Sequence, residues 1–177
     1  PEPPQTEERR RELSKPTATE KLAVGYHSPA IGDFDHPALS LLSEVLFGGR
    51  ASRMHQALVR KLEIASEVRV FVGPFRDPGL TEIYASARGT HTAETLLAEI
   101  DREIARVCEE AIPEAEIERA RARTELSLVA GLESADGKAS TIGFYDTILG
   151  RPGAAFERLD ELARVTASDL RRVARRY

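Results

Sequence analysis

Apolar residues recur at helical spacing between Asp35 and Gly49. They lie three or four positions apart, which places them on one face of a helix. These positions are Ala38, Leu41, Leu42, Val45 and Leu46. Asp35 or His36 can cap the first turn, and that turn tolerates Pro37 because a first-turn N–H has no partner within the helix. The Gly48-Gly49 pair predicts the helix end, since glycine adopts the left-handed conformation without a Cβ clash.

The period of the pattern changes from about four to two after a second predicted helix, Ser52–Leu62. Between positions 64 and 72, one set of residues is apolar and the alternate set is mixed, which is typical of a strand with one buried face. The predicted inward residues are Ile64, Val68, Val70 and Val72, and the outward ones are Ala65, Glu67, Arg69 and Phe71. Pro74–Gly79 is predicted as a turn, and Leu80–Ala87 as the returning strand of a hairpin.

Further strands and helices are predicted on either side of this central block. Glu20–His27 is predicted as a strand and Arg9–Ser14 as a short edge strand. Helices are predicted after Thr90 or Thr92, after Pro113, over Ala139–Leu149, over Phe156–Leu162 and after Thr166, with a break between Gly131 and Gly137. The order indicates an α+β domain with a largely antiparallel sheet and helices packed on one face. Residues 9–177 form this single domain, and the Pro-rich, acidic residues 1–8 are predicted to be an interdomain linker.

Charge and composition exclude several classes of function. The net charge of -4, without a separate basic patch, argues against a nucleic-acid partner. No apolar run approaches the roughly 18 residues that indicate a membrane span. Cys108 is the single cysteine, so it cannot form an intrachain disulfide, and we predict that it packs as a small buried hydrophobe. The sequence does not distinguish a cytoplasmic from a periplasmic protein.

Polar clusters in the sequence favour structural over chemical roles. The glutamates at 114, 116 and 118 are interpreted as charges matched to a helix N-terminus rather than as a general acid/base pair. The arginine pairs 171–172 and 175–176 are interpreted as a solvated helix face. None of the four histidines stands three or four residues from another, so no His-x-x-Glu-His zinc motif exists. We therefore assign neither a catalytic nor a metal-binding residue.

A set of short motifs in the central block resembles the C-terminal, non-metal-binding domain of pitrilysin/insulinase-type zinc metallopeptidases, in particular the bacterial processing-peptidase-like members. The motifs are a helix ending in Gly-Gly, a Ser-Arg pair, a helix with an Ala-Leu pair, an apolar-Ala step opening a strand, and an Asp-x-Gly-Leu turn. The residues that match are Gly48, Gly49, Ser52, Arg53, Ala57, Leu58, Ile64, Ala65, Asp77, Gly79 and Leu80. The resemblance extends from about residue 10 to the end of the chain and implies the LuxS/processing-peptidase-like α+β fold.

The resemblance implies a non-catalytic domain of a zinc-dependent metalloendopeptidase. Such a domain forms part of a peptide-binding chamber and packs against a zinc-binding domain, expected upstream in the same chain. Zinc is expected in the parent protein and not in this fragment. In the family, an Arg and a Tyr of this domain contact substrate, and the equivalent positions here are Val59 and Ser66. Because this chain lacks the Arg and the Tyr, a homologous partner subunit is a possible source of the pair.

Two other interpretations stay open at this point. The chain can be a structural assembly subunit derived from a peptidase, like the core proteins of the respiratory cytochrome complex. It can also be an unrelated α+β binding module. The sequence specifies neither the peptide substrate nor the oligomeric state.

Overall fold

The structure, a computed structural model, describes residues 5–177 and contains three strands and seven helical segments in that range. The strands are β1 (Lys21–Ser28), β2 (Ala65–Val72) and β3 (Gly79–Ala87). The α-helices are α1 (His36–Phe47), α2 (Ala93–Glu109), α3 (Glu114–Gly131), α4 (Ala135–Leu149), α5 (Ala154–Arg164) and α6 (Ala167–Arg176). A π-helix, His55–Lys61, lies between α1 and β2. This order of elements confirms the predicted α+β class.

The three strands form one antiparallel sheet in the order β1-β3-β2. β3, the last strand in sequence, is therefore central, and both of its neighbours are edge strands. One row of the sheet aligns Val24, Ile83 and Val70, and all three side chains face the helices. Ile83, Ala85 and Ala87 of the central strand are almost fully buried. The predicted antiparallel sheet is confirmed.

The helices pack on one face of this sheet, as predicted. α2 lies against β3 and β1, whereas α1 and the π-helix lie against β2. The core between the two layers contains large side chains without exposed surface: Leu41, Met54, Leu58, Leu96, Ile100, Ile117, Leu162 and Leu170. No helix among residues 5–177 is both long and apolar enough to cross a bilayer.

A β-bulge at Ser66 overturns the predicted facing of one residue in β2. Ala65 pairs with Ala87, but Glu67 pairs with Ser86, so β2 has one residue more than β3 across this step. Because an extra residue shifts the alternation, Ala65 points into the core with 0% of its surface exposed. The sequence had placed Ala65 on the outward face.

The second predicted helix occupies the expected place but has a wider turn. The N–H of Leu62 donates to the carbonyl of Ala57, five residues back, at 2.9 Å. Bonds to the fifth preceding residue define a π-helix, which is rare and occurs often at functional sites. Met54 and Leu58 are nevertheless buried, as the apolar stripe predicted.

The break in the long helical stretch near Gly131 is confirmed. α3 ends at Gly131, and α4 begins at Ala135, earlier than the predicted start at Ala139. Ser134 causes the earlier start, because its hydroxyl accepts a hydrogen bond from the N–H of Gly137 at 2.9 Å and so caps the helix.

The predicted edge strand at Arg9–Ser14 is wrong. These residues are exposed and belong to no strand, and the run of charges from Arg9 to Glu12 offers little apolar surface to bury. Of the predicted linker, residues 1–4 lie outside the described range, and residues 5–8 are exposed without helix or strand. The domain boundary after residue 8 stays a prediction.

Candidate functional site

The sheet face opposite the helices is not covered by any element of residues 5–177. Its central strand presents Leu80, Glu82 and Tyr84, which alternate with the buried residues of the same strand. Phe71 of β2 lies opposite Glu82 on this face. Leu80 remains 44% exposed and Phe71 45% exposed, although both are large and apolar. Exposed apolar side chains grouped on one surface are typical of an interaction site.

Phe75, in the turn after β2, extends this apolar surface. Its ring packs edge-to-face against Phe71, with centroids 6.2 Å apart. A Cβ added at Gly73 would clash with the Phe75 ring, so the glycine is what allows the ring to fold back over the strand end. We call Phe71, Phe75 and Leu80 the sheet patch. A cation borders it, since the Arg69 guanidinium lies 5.2 Å from the centre of the Tyr84 ring.

The structure places Val59 in the π-helix and Ser66 in β2, on either side of the turn that joins these two elements. Val59 lies on the π-helix and packs, partly buried, against the core. Ser66 is exposed on the bulge, where its hydroxyl donates to the Ser86 carbonyl at 3.2 Å. Neither side chain carries a positive charge or a long-reaching donor. The equivalence with the family's Arg/Tyr pair therefore stays a prediction.

The backbone between these two positions is unusual. Glu63 has a φ of 53°, the left-handed region that glycine adopts easily and other residues only at a cost. A π-helix, a left-handed residue and a β-bulge thus follow one another within Val59–Ser66. Such features are enriched near functional sites. The periodicity of the sequence does not predict these three features, because each is confined to one extra residue or one backbone angle.

A partly buried ion pair lies just before the start of the π-helix. Arg53 donates through Nε to one oxygen of Glu116 at 2.7 Å, and through Nη2 to the other oxygen at 3.3 Å. Glu116 lies in the first turn of α3, where the helix dipole also favours its charge. Arg121 likewise binds Glu118. Two of the three glutamates in the cluster therefore have arginine partners.

The histidines do not assemble a metal centre. No group of three or more His, Cys, Asp or Glu side chains within residues 5–177 has the geometry to hold a metal ion. His27 and His91 are exposed, and His55 is half-buried with its Nδ1 out of contact with water. The residues that the structure describes thus do not fit the zinc that the family resemblance implies for the parent protein.

His36, interpreted from the sequence as part of a helix start, is buried in a polar cluster. Its Nδ1 accepts a hydrogen bond from the Arg158 guanidinium, and Ser40 lies 3.3 Å away. Burial, together with the charge of Arg158, lowers the pKa of His36 to about 4. The imidazole is therefore neutral at physiological pH. Arg158 comes from α5, more than a hundred residues later, so no local pattern could have linked the two.

Cys108 behaves as a packed thiol. The side chain is half-buried on α2, and the thiol donates to the Ala174 carbonyl at 3.3 Å. Burial raises the pKa of the Cys108 thiol. Because the thiolate is the reactive form, this environment disfavours nucleophilic chemistry.

Asp35 joins the two ends of the helical layer. Its carboxylate has almost no exposed surface and accepts hydrogen bonds from Arg172, from Arg176 at 2.8 Å and from the Tyr177 hydroxyl at 3.1 Å. Asp35 is the N-cap residue of α1, as predicted, but its side chain makes no capping hydrogen bond to the helix. The prediction of a solvated arginine face on α6 also needs correction, because Arg172 and Arg176 bind this buried carboxylate.

A sequence profile described as "Peptidase M16 inactive domain" matches residues 1–124. The chain is 29% identical over 163 residues to an uncharacterised zinc protease of Streptomyces coelicolor, and 32% identical over 165 residues to one of Rickettsia bellii. These matches cover 92% and 93% of the chain but only 35% and 40% of the two relatives. The chain therefore spans well under half the length of the curated relatives it matches.

Solved structures show the same fold. A protease from Helicobacter pylori superposes with a TM-score of 0.86 at 25% identity, covering 93% of the chain and 40% of that protein. The inactive peptidase domain of a protein described as a zinc protease from Bordetella parapertussis superposes with a TM-score of 0.81 at 21% identity. That match covers 93% of the chain and 89% of the solved domain, so a domain of this size has been studied as a separate unit.

Proposed function

The chain belongs to the family of M16 peptidase inactive domains, and from this premise we propose that it is the non-catalytic domain of a zinc metalloendopeptidase. In this role it packs against a zinc-binding domain and forms part of the wall around the bound peptide. The metal belongs to that other domain, since residues 5–177 offer no ligand set of their own. The match to the inactive-domain profile carries the proposal.

The sheet patch is the surface we assign to packing against the zinc-binding domain. Phe71, Phe75 and Leu80 are each 44–50% exposed on a sheet face that no helix of the described chain covers. Burying apolar surface of this kind contributes about 25 cal/mol per Å². The glutamate and arginine beside the patch, Glu82 and Arg69, suit the polar rim of such an interface.

We further propose that another subunit supplies the polar contacts missing at Val59 and Ser66. An arginine gives a forked donor to peptide carbonyls, and a tyrosine hydroxyl can stabilise charge developing on the scissile carbonyl. Valine has no donor, and the Ser66 hydroxyl is already bonded to Ser86. A peptidase built with this domain alone would lack both contacts.

Association with the zinc-binding domain of the same protein tests the packing surface. The 177-residue chain is mixed with that domain, and the dissociation constant is measured by isothermal titration calorimetry. Phe71→Lys and Leu80→Lys should each weaken association by about tenfold or more, because a desolvated lysine replaces apolar contact.

Leu126→Lys is the matched control, since Leu126 is 69% exposed on α3, away from the sheet. It should leave the dissociation constant unchanged. Equal weakening by all three variants, or by Leu126→Lys alone, would rule out the sheet patch. A complex that forms but hydrolyses no peptide would favour the structural-subunit interpretation instead.

A further inference from the structure

A cavity of about 260 Å³ lies between the loop before α1, the end of α4, α5 and the start of α6. Its apolar lining includes Ile31, Tyr145, Leu149 and Val165. Ile31 and Tyr145 also belong to a small hydrophobic cluster, separate from the main core, that joins α4 to α5. The cavity is slightly smaller than the roughly 300–1,000 Å³ of sites for drug-sized ligands, so it suits a group the size of one amino-acid residue.

Arg158 places a nearly buried cation on the wall of this cavity. Only 7% of the residue's surface is exposed. Its Nη1 donates to Glu161 at 3.1 Å, and its Nη2 donates to His36 Nδ1 and weakly to Ser40 at 3.4 Å. The Arg158 Nε–H has no acceptor among residues 5–177, although a guanidinium offers five N–H donors in all. Donor capacity therefore remains available.

The charge of Arg158 is incompletely balanced. Its one carboxylate partner, Glu161, has a side chain that is 42% exposed and therefore well hydrated. Its other close partner, His36, is a neutral imidazole, since burial lowers its pKa to about 4. A buried charge is costly unless a counter-charge compensates for it. An anion entering the cavity would supply that compensation.

The other charged groups around the cavity do not cancel this preference. Asp169 accepts the hydrogen bonds of the Thr166 cap and pairs with Arg172, and Asp33 accepts the Asp35 N–H at 2.8 Å. Arg164, by contrast, has no carboxylate within 4.0 Å in the part of the chain that the structure describes. Asp33 likewise has no cationic side chain within 4.0 Å in the same part of the chain. Because four arginines and three carboxylates line the cavity, its wall nevertheless carries a formal charge of +1.

We propose that this cavity binds a carboxylate carried on a branched or aromatic apolar group. The C-terminal residue of a peptide and a free apolar carboxylic acid both have this chemistry. The Nε–H of Arg158, which has no other acceptor in the described chain, donates to the carboxylate, and the wall formed by Ile31, Leu149 and Val165 surrounds the apolar part. None of the three sheet-patch residues lines this cavity, although the N–H of Ile31 donates to the carbonyl of Phe75 at 2.9 Å.

The geometry favours a carboxylate over a phosphate. A phosphate dianion presents more acceptors and more charge than one buried arginine and one rim arginine can match, and the apolar lining would leave phosphate oxygens without donors. A carboxylate needs donors from only one edge of the guanidinium. The hydrocarbon part of the ligand is stabilised by burial against the apolar wall.

Calorimetric titration of the 177-residue chain with matched probes tests the site. The probes are N-acetyl-leucine, N-acetyl-leucinamide, and a short peptide ending in leucine with either a free or an amidated C-terminus. The free carboxylates should bind at least about tenfold more tightly than their amides. Binding of the free-acid peptide alone identifies a peptide terminus as the ligand, and binding of N-acetyl-leucine alone identifies a small acid. Equal binding of acids and amides, or no binding up to about 10 mM, overturns the proposal.

Variants locate the binding. Arg158→Gln should weaken carboxylate binding by about tenfold or more, whereas Arg119→Gln, an exposed arginine on α3, should not change it. If Arg158→Gln does not fold, Arg164→Gln at the rim replaces it and should weaken binding severalfold. Methyl NMR shifts of Ile31, Leu149 and Val165 should move on titration while Leu126 stays fixed. Unchanged affinity in a folded Arg158→Gln or in Arg164→Gln, or shifts elsewhere only, contradicts the assignment.

Discussion

Asp35 shows at the scale of one residue how distant partners set a side chain's role. Its position before α1 suits a helix cap, but its carboxylate bonds instead to Arg172, Arg176 and Tyr177 at the end of the described chain. Burial raises the pKa of Asp35, and the hydrogen bonds and charges of Arg172, Tyr177 and Arg176 outweigh that effect, so the net shift is downward. The ionised form is therefore preferred in the folded state.

Replacing Asp35 by Asn should lower the free energy of unfolding by about 2–3 kcal/mol at pH 7. The loss is at the lower end for a broken buried pair, because Arg172 and Arg176 are partly exposed and can be hydrated. Urea unfolding measures it. Asp101→Asn is the matched control, since Asp101 is exposed and makes only a 3.4 Å bond to Tyr26. Equal losses in both variants would contradict a special role for Asp35.

Comparison of the wild type with Asp35→Asn also predicts how the free energy of unfolding depends on pH. A group whose folded pKa is lowered stabilises the fold fully above its unfolded pKa, here the ordinary value of 3.8. The contribution disappears as the pH falls through the folded pKa. The stability difference between wild type and Asp35→Asn should therefore be constant near neutrality and shrink below about pH 4. A stability difference that increases as the pH falls would contradict the lowered pKa of Asp35.

Glu63 carries local backbone strain that a single substitution can relieve. Its φ of 53° is unfavourable for a residue with a Cβ, and its exposed pair with Arg88 at 3.3 Å contributes little in return. Glu63→Gly should raise the free energy of unfolding by about 0.5–1 kcal/mol, after subtracting the entropy that glycine adds to the unfolded chain. Glu63→Ala, which keeps the Cβ, should give no gain. An equally large increase in the free energy of unfolding for Glu63→Ala and Glu63→Gly would mean that the lost charge, and not the relieved φ, is the cause.

At the scale of the elements, α1 forms as the periodicity predicts and provides much of the core. Leu42 is 4% exposed in the middle of its apolar stripe. Leu42→Ala should lower the free energy of unfolding by about 2–5 kcal/mol, the usual cost of emptying a buried leucine site. Leu126→Ala on the exposed side of α3 should change it by less than about 0.5 kcal/mol. A loss below about 1 kcal/mol at Leu42 would show that the wrong face was assigned.

Two of the departures from prediction, in the π-helix and in β2, share one cause. The π-helix widens by one residue at the Leu62–Ala57 bond, and β2 gains one at Ser66. Either irregularity changes which side chain faces the core without changing local composition. Periodicity assumes a constant number of residues per turn or per pleat, so it cannot register a single extra residue.

At the scale of the whole molecule, the proposed role of Val59 and Ser66 depends on which surface of this domain faces the proposed zinc-binding domain. Val59→Arg combined with Ser66→Tyr, made in the full-length protein, should raise peptide turnover only if this domain faces the metal. If a partner subunit supplies the pair, turnover should be nearly unchanged by the substitutions and should vanish when the partner is removed. Full activity of the unmodified, monomeric polypeptide, with its mass checked by light scattering, would refute the need for a partner.

The sequence by itself determined the α+β class, most helix and strand positions, the antiparallel hairpin and the family. Helix and strand periods, caps such as Thr92 and Thr166, and motif spacing are local properties, so they can be identified from the sequence alone. Only the tertiary structure decided where the chain's polar groups meet. The Arg158–His36 contact, the arginines around Asp35 and the uncovered sheet patch join residues far apart in sequence. Their proximity follows from how the helices pack on the sheet, because the distance between two side chains in a fold is set by packing and not by their separation along the chain.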